Sequence, residues 1–185
     1  SFSTNLLVMA SIAAHLIGML RSQGLDQSTA LLVASCIGPT QVAGRLALFV
    51  AEKRLPAGSA IRLIVWLPPL SILLLMLLGL PMAPGAAIAV ALGAAFFWGT
   101  GNGMLTIVKG TVVADLVGAA QVATLNGIAA VPSAFMRAVG PFLIAWVWET
   151  TGSVSVALTC MLATSAGSGL LMLAAVAQRP RNRDA

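Results

Sequence analysis

Six long apolar stretches occupy almost all of this 185-residue chain and limit its fold more than any other feature of the sequence. The hydrocarbon core of a bilayer is ~30 Å thick and takes ~20 helical residues to cross, since each residue advances ~1.5 Å. Every stretch is close to that length or above it. The stretches cover residues 3–20, 28–50, 60–80, 84–108, 122–147 and 154–177. The sequence therefore predicts an all-α membrane protein with six transmembrane helices.

Composition agrees with membrane-spanning helices. Hydrophobic residues make up 59% of the chain and charged residues only 8%, against ~25% charged residues in soluble domains. None of the stretches shows the ~10-residue alternation of an outer-membrane barrel strand. Helices are then the spanning structure that satisfies every backbone polar group inside a bilayer.

The net charge of +5 indicates topology rather than nucleic-acid binding, because the basic residues lie mainly at helix ends and in short loops. If the first helix runs from the cytoplasm to the outside, the connections on the outside contain only one basic residue, Arg21. The cytoplasmic loops and tail then hold Lys53, Arg54, Lys109, Arg179, Arg181 and Arg183, with Arg62 near the start of the third span. Both ends are predicted to be cytoplasmic, in a plasma (bacterial inner) membrane, and the basic tail at 178–185 suits its anionic inner leaflet.

Short connections between consecutive spans predict one compact bundle with no inserted soluble domain. Prolines are expected to kink two of its helices, at Pro68-Pro69 in the third span and at Pro132 and Pro141 in the fifth. The chain has no initiator Met and enters its first helix almost at once, so we expect it to be a fragment of a longer protein.

Three segments resemble the major facilitator superfamily of transporters. Residues 137–153 contain a Gly140-Pro141 pair, aromatic residues, an acid and Thr-Gly-Ser, and look like the eleventh helix of that family. Residues 37–45 (IGPTQVAGR) look like the end of its eighth helix, and residues 99–115 are similar to its tenth helix and exit. Relative to the family's loop signature, Gln41 stands where an Asp is expected and Val42 where a basic residue is expected.

The resemblance implies that the chain is the C-terminal six-helix half of a secondary active transporter. Such a protein moves a small solute by alternating access, with the transport path between this half and a missing N-terminal six-helix half. The expected partners are that half, the lipid bilayer and a small-molecule substrate. Gln41, Gly44 and Arg45 become candidates for a cytoplasmic gate or loop, and snorkelling to the headgroups is the alternative for Arg45.

Polar residues within spans are expensive and are the candidates for the transport path. Asn126, Ser133 and Arg137 are seven and four residues apart, so they share one face of the fifth span. Every acid lies near a helix end or in a loop, which leaves Arg137 without a counter-ion at membrane depth. Arg137 is predicted to pair with a carboxylate of the missing half or with an anionic group of the substrate. The alternative is an arginine that snorkels to the headgroups.

Two other spans carry polar residues at helical spacing. In the first, Ser11 and His15 share a face, and His15 could couple protons to transport or serve as a neutral hydrogen-bonding residue. In the fourth, Trp98, Asn102 and Thr106 are four residues apart and could stack on and bond a solute. Packing by Trp98 and a helix–helix hydrogen bond by Asn102 are the alternatives.

The sequence does not predict an enzyme, a cofactor or a metal site. Gly167-Ser168-Gly169 lacks the full spacing of an intramembrane serine protease, and paired acids or clustered histidines are missing. A channel or a non-transporting membrane subunit is the alternative to a transporter, although polar residues at matched depth in several spans are not evident.

Overall fold

A computed structural model describes the backbone of residues 2–52, 57–117 and 119–177, and within these ranges the chain forms seven helices. Side chains are described there except at residues 2, 52, 57–60, 109–117, 119–126 and 175–176. The helices are α1 (Phe2–Ser22), α2 (Gln27–Glu52), α3 (Ala57–Ile64), α4 (Leu67–Leu77), α5 (Pro84–Val117), α6 (Ala119–Thr151) and α7 (Val154–Ala177). No strand occurs among the described residues, so the prediction of an all-helical chain is confirmed for them.

Five helices, α1, α2, α5, α6 and α7, are long and apolar enough to cross a membrane. The third predicted span is formed by α3 and α4, which share the shorter apolar stretch Ile61–Leu77. These lengths are compatible with an integral membrane protein. The predicted tail at 178–185 and the loop residues Lys53 and Arg54 lie outside the described residues.

Pro68 and Pro69 break the third predicted span rather than only kinking it. Neither has a backbone N–H, so the carbonyls four residues earlier lose the donors that would continue α3. The chain turns at residues 65–66, where the Trp66 N–H donates to the Leu63 carbonyl at 3.2 Å. Both prolines then lie in the first turn of α4, where a missing N–H costs no helical hydrogen bond.

Helices α5 and α6 extend beyond the predicted spans. The sequence predicts a loop over residues 109–121, but the helical backbone runs to Val117 and resumes at Ala119. The first charges after the apolar stretch mark where the membrane would end, and a helix continues past that point because its backbone bonds are internal. The 34 residues of α5 span ~51 Å, well beyond a ~30 Å hydrocarbon core.

Two parallel helix pairs organise the bundle, because α1 packs most extensively against α6 and α2 against α5. Residue numbers at the α1–α6 contacts rise together, so these two helices run in the same direction. Helices α2 and α5 are the second and fourth spans, and because successive spans alternate in direction they also run in the same direction. The neighbouring residues are Leu7 with Gly140 and Gly18 with Trp148 in the first pair, and Thr40 with Gly99 and Gln41 with Gly103 in the second.

The helix contacts relate two three-span units to each other. Suppose that α1 is exchanged with α5, α2 with α6, and α4 with α7. The α1–α6 pair then becomes the α5–α2 pair, and the α4–α5 contact becomes the α7–α1 contact. The α4–α7 contact maps onto itself, and all of these contacts are present. Because successive spans alternate in direction, α1 and α5 run oppositely, so the second unit is inverted relative to the first.

Helices α2 and α6 are the least buried of the long helices. Only 11% of the apolar stretch of α2 and 17% of that of α6 are buried, against 33% for α1 and 50% for α5. The exposed side of α6 carries large apolar side chains, namely Ile128, Val131, Phe135, Phe142 and Trp146. The main core lies among α1, α4, α5 and α7, where Ile12, Ile72 and Met161 are almost fully buried.

Local turn chemistry shapes the end of the bundle at which α1 and α6 finish and α2 begins. Gly24 after α1 and Gly152 after α6 have positive φ values of 94° and 63°, a backbone conformation in which glycine avoids the Cβ clash of other residues. Asp26 caps α2, because its carboxylate accepts from the Thr29 N–H at 3.1 Å and from the hydroxyls of Ser28 and Thr29. These bonds, led by that of Ser28, hold the pKa of Asp26 well below its usual range.

Candidate functional site

His15 joins α1 to α6 at the proline of the Gly140-Pro141 pair. Its Nε2 lies 2.9 Å from the Pro141 carbonyl oxygen. A carbonyl can only accept a hydrogen bond, so Nε2 carries the proton and donates. The ring of Trp148 meets the imidazole edge-on, with 6.3 Å between centroids. No described residue forms a hydrogen bond with Nδ1.

The rest of the α1–α6 contact places Ser133 in the interior. The Ser133 hydroxyl is 3.3 Å from the Ser3 hydroxyl, and Ser133 is only 7% exposed. A Cβ at Gly140 would lie 2.7 Å from the Leu7 carbonyl oxygen, so the two helix backbones approach closely here. Ser133 therefore bonds across the helix pair and is not presented to a solute.

Arg137 is exposed on the flank of α6 that borders α1. At ~100° per residue it lies ~40° around the helix from Ser133 and ~60° from Gly140, which both touch α1. It lies ~140–180° from Phe142 and Trp146 on the exposed apolar side. The guanidinium thus belongs to the polar flank of the helix and faces away from its apolar side.

Two predicted site hydroxyls are already used within their own helices. Ser11 is fully buried and donates to the Leu7 carbonyl at 2.8 Å. Thr106 is exposed, but its hydroxyl donates to the Gly103 carbonyl at 2.7 Å. Such bonds to the preceding turn use the hydroxyl proton, so these side chains can only accept a hydrogen bond from a ligand.

Trp98 and Asn102 have different environments although they lie on one face of α5. Trp98 is 3% exposed and packs in the main core. This placement is the one expected if Trp98 packs within the bundle and does not stack on a solute. Asn102 is half-buried, and its amide has no hydrogen-bond partner among the described residues. An unpaired amide inside a span can both donate to and accept from a solute.

The three gate candidates lie inside α2 rather than in a loop. Gly44 is buried against the backbone of Thr100, so it serves the close approach of α2 to α5. Gln41 is half-buried with an unpaired amide, and Arg45 is exposed one turn further along the helix. The side chain of the remaining candidate, Asn126, lies outside the described residues.

Three further polar atoms were missed by sequence reasoning. Asn5 Oδ1, Thr100 Oγ1 and Ser165 Oγ are buried and have no hydrogen-bond partner among the described residues. Thr100 lies in the 99–115 segment singled out above, between Gly99, which approaches α2, and Gly101, which approaches α4. The glycines on either side of Thr100 could have indicated that it lies at a helix contact. Nothing in the sequence distinguishes Ser165 from the other serines of α7.

Comparison with known proteins finds no family model, curated protein or solved structure that matches this chain. Among the side chains that the structure describes, no three metal-ligating groups come together. The arrangement that remains is a set of polar groups inside apolar spans: the Arg137 guanidinium, the amides of Asn102 and Gln41, and Nδ1 of His15.

Proposed function

We propose that this chain is one six-helix half of a secondary active transporter that moves a small solute by alternating access. The observation that carries the proposal is the exchange relation between the two three-span units. Transporters of the major facilitator type contain such inverted three-helix repeats within each half, and their halves rock around a central site. The helix pairs α1–α6 and α2–α5 fit that plan.

The distribution of burial supports a second bundle as partner. Helices α2 and α6 have the lowest buried shares, 11% and 17%, and each rests mainly on one neighbour. Their exposed sides are available to a second six-helix unit. We place both termini of this segment on the cytoplasmic side of a plasma (bacterial inner) membrane, on the strength of the Lys and Arg bias.

Unpaired polar groups support a solute path. Asn102, Gln41 and Arg137 lie within apolar spans and keep hydrogen-bonding capacity that no described residue uses. Such groups are expensive in a membrane unless they face water, a ligand or another protein segment. A path between two bundles would supply water and a ligand.

The test is solute uptake by the complete protein reconstituted into liposomes. The vesicles are incubated with a mixture of small metabolites, and their contents are identified by mass spectrometry. Any solute that enters is then tested for counterflow, in which internal unlabelled solute drives transient accumulation of labelled solute. Counterflow is expected, because a carrier exchanges solute across the membrane through one alternating site.

Two results would replace this proposal. Ion conductance without counterflow would indicate a channel, and neither conductance nor uptake would indicate a non-transporting subunit. Gly99→Val serves as the disrupted control, since even a Cβ there would lie 2.9 Å from the Ile37 carbonyl oxygen. Gly38→Val is its matched control, because nothing lies within 4 Å of a Cβ at Gly38.

A further inference from the structure

The geometry points to Arg137 as the binding site for a carboxylate group of the transported solute. This inference rests on the proposed function and names the solute's chemical class. Four observations lead to it: the depth of Arg137, the side of α6 on which it lies, the absence of a nearby acid among the described residues, and the presence of one guanidinium rather than two.

Arg137 lies too deep to be an interfacial anchor. The apolar span of α6 includes Gly127–Thr151, so at least ~15 Å of helix separates Arg137 from either end. An arginine snorkels to the headgroups only over the length of its own side chain. Arg45 differs, because it lies six residues from the end of the α2 span at Ala51, ~9 Å along the helix.

The side of α6 that carries Arg137 is not its apolar side. Ser133 and Gly140, ~40° and ~60° away, contact α1. Small residues at 130 and 134 continue the same flank toward the start of the helix. An exposed cation on a flank of small residues leaves room beside the guanidinium for a solute.

The two acids whose side chains are described, Asp26 and Glu149, are remote from Arg137. Glu149 is twelve residues further along α6, ~18 Å away along the axis, and Asp26 lies in the turn before α2. Glu52 and Asp115 lie in helix ends beyond the apolar spans, and Asp184 is outside the described residues. Among the described residues Arg137 therefore keeps a full positive charge without an anionic partner.

Within the described part of this chain, the number of cations at the depth of Arg137 favours a monoanionic carboxylate over a phosphate. A guanidinium offers a planar pair of N–H groups that match the two oxygens of one carboxylate. A phosphate dianion inside a membrane would call for a second positive charge at the same depth. The other arginines with described side chains, Arg21, Arg45 and Arg62, lie nearer to helix ends.

The experiment measures binding of matched acids and amides to the complete protein in nanodiscs of neutral phosphatidylcholine. The probes are acetate, lactate and benzoate, each compared with its amide at constant ionic strength. Affinities follow from the rise in unfolding temperature with ligand concentration. We expect at least one acid to stabilise the wild-type protein while its amide does not.

Variants of Arg137 test whether this residue is responsible for the stabilisation by the acid. Arg137→Gln is expected to weaken acid binding by ~10-fold or more, because a charge-assisted bidentate contact is lost. Arg137→Lys should retain part of the affinity, since it keeps the charge but not the planar fork. Arg21→Gln, the matched control in the exposed last turn of α1, should bind like the wild type.

Four outcomes would overturn the inference. Equal effects of acids and amides, or acid binding that survives Arg137→Gln, would remove Arg137 from the solute site. No response to any acid, together with a lower unfolding temperature of Arg137→Gln itself, would identify a protein carboxylate as its partner. A response only to added phosphatidylglycerol would identify a lipid. Acid binding without counterflow would instead refute transport and leave the carboxylate site in place.

Discussion

Replacing Gly44 by alanine is expected to force α2 away from α5. A Cβ at this position would lie 2.6 Å from the carbonyl oxygen of Thr100 and 2.9 Å from its Cα. Ordinary contact begins at 3.4 Å, so the backbones must separate by ~0.8 Å at the crossing. Both clashing atoms belong to helix backbone, which cannot rotate aside as a side chain can.

The expected change in the free energy of unfolding of Gly44→Ala follows from two opposing effects. Overpacking a close contact costs ~1–3 kcal/mol, and the upper end applies because Gly99 and Gly103 hold the same two backbones close. Alanine is a better helix former than glycine by ~1 kcal/mol. We therefore expect Gly44→Ala to lower the free energy of unfolding by ~2 kcal/mol.

Gly38→Ala is the matched control, because Gly38 lies in the same helix with nothing within 4 Å of its Cβ position. It should be neutral or gain up to ~1 kcal/mol from helix propensity. Both variants are unfolded by dodecyl sulfate in the same mixed micelles and followed by tryptophan fluorescence, to which the buried Trp98 contributes. Equal stability of the two variants would refute the close α2–α5 contact as a determinant of stability.

Two further predictions concern the bundle contacts. His15→Leu removes the bond to the α6 carbonyl and should lower the free energy of unfolding by ~1 kcal/mol, whereas His15→Gln, which keeps a donor, should lose less; equal losses in both variants would contradict the bond. The cap formed by Asp26 depends on its charge, and its pKa is lowered by the hydroxyls of Ser28 and Thr29. Its stabilisation is therefore complete above the unfolded-state pKa of ~3.9 and is lost as the pH falls below it. Unfolding temperatures of the wild type and Asp26→Asn should converge on acidification, and a gap that does not change with pH would contradict this reasoning.

Hydropathy predicted the membrane-length helices because lipid selects for long apolar runs, but it could not predict where helices end. The charge at Lys109 marks the loss of lipid, yet α5 continues to Val117 because its backbone bonds do not depend on the solvent. The prolines at 68 and 69 were visible in the sequence. Two adjacent missing N–H groups remove two successive bonds, which is why the helix breaks there instead of bending.

The sequence was enough to predict which polar residues lie within spans. It was less able to predict the contacts that these residues make. Ser11 and Thr106 could have been set aside, since Ser and Thr in helices commonly bond to the preceding turn. The partner of His15 could not be deduced, because every residue offers a carbonyl and only the packing of α1 on α6 selects that of Pro141. Trp98 and Asn102 share a helical face, but their burial depends on which neighbours cross α5 at each level.

The parallel pairs have a consequence for how the chain enters a membrane. Helix α1 finds its main neighbour in α6, and roughly 100 residues are synthesised between the end of one and the start of the other. At ~5–20 residues per second this takes about 5–20 s. During that interval His15 lacks the Pro141 carbonyl that it will bond, and α2 likewise lacks α5. The bundle can therefore close only as its last helices are synthesised.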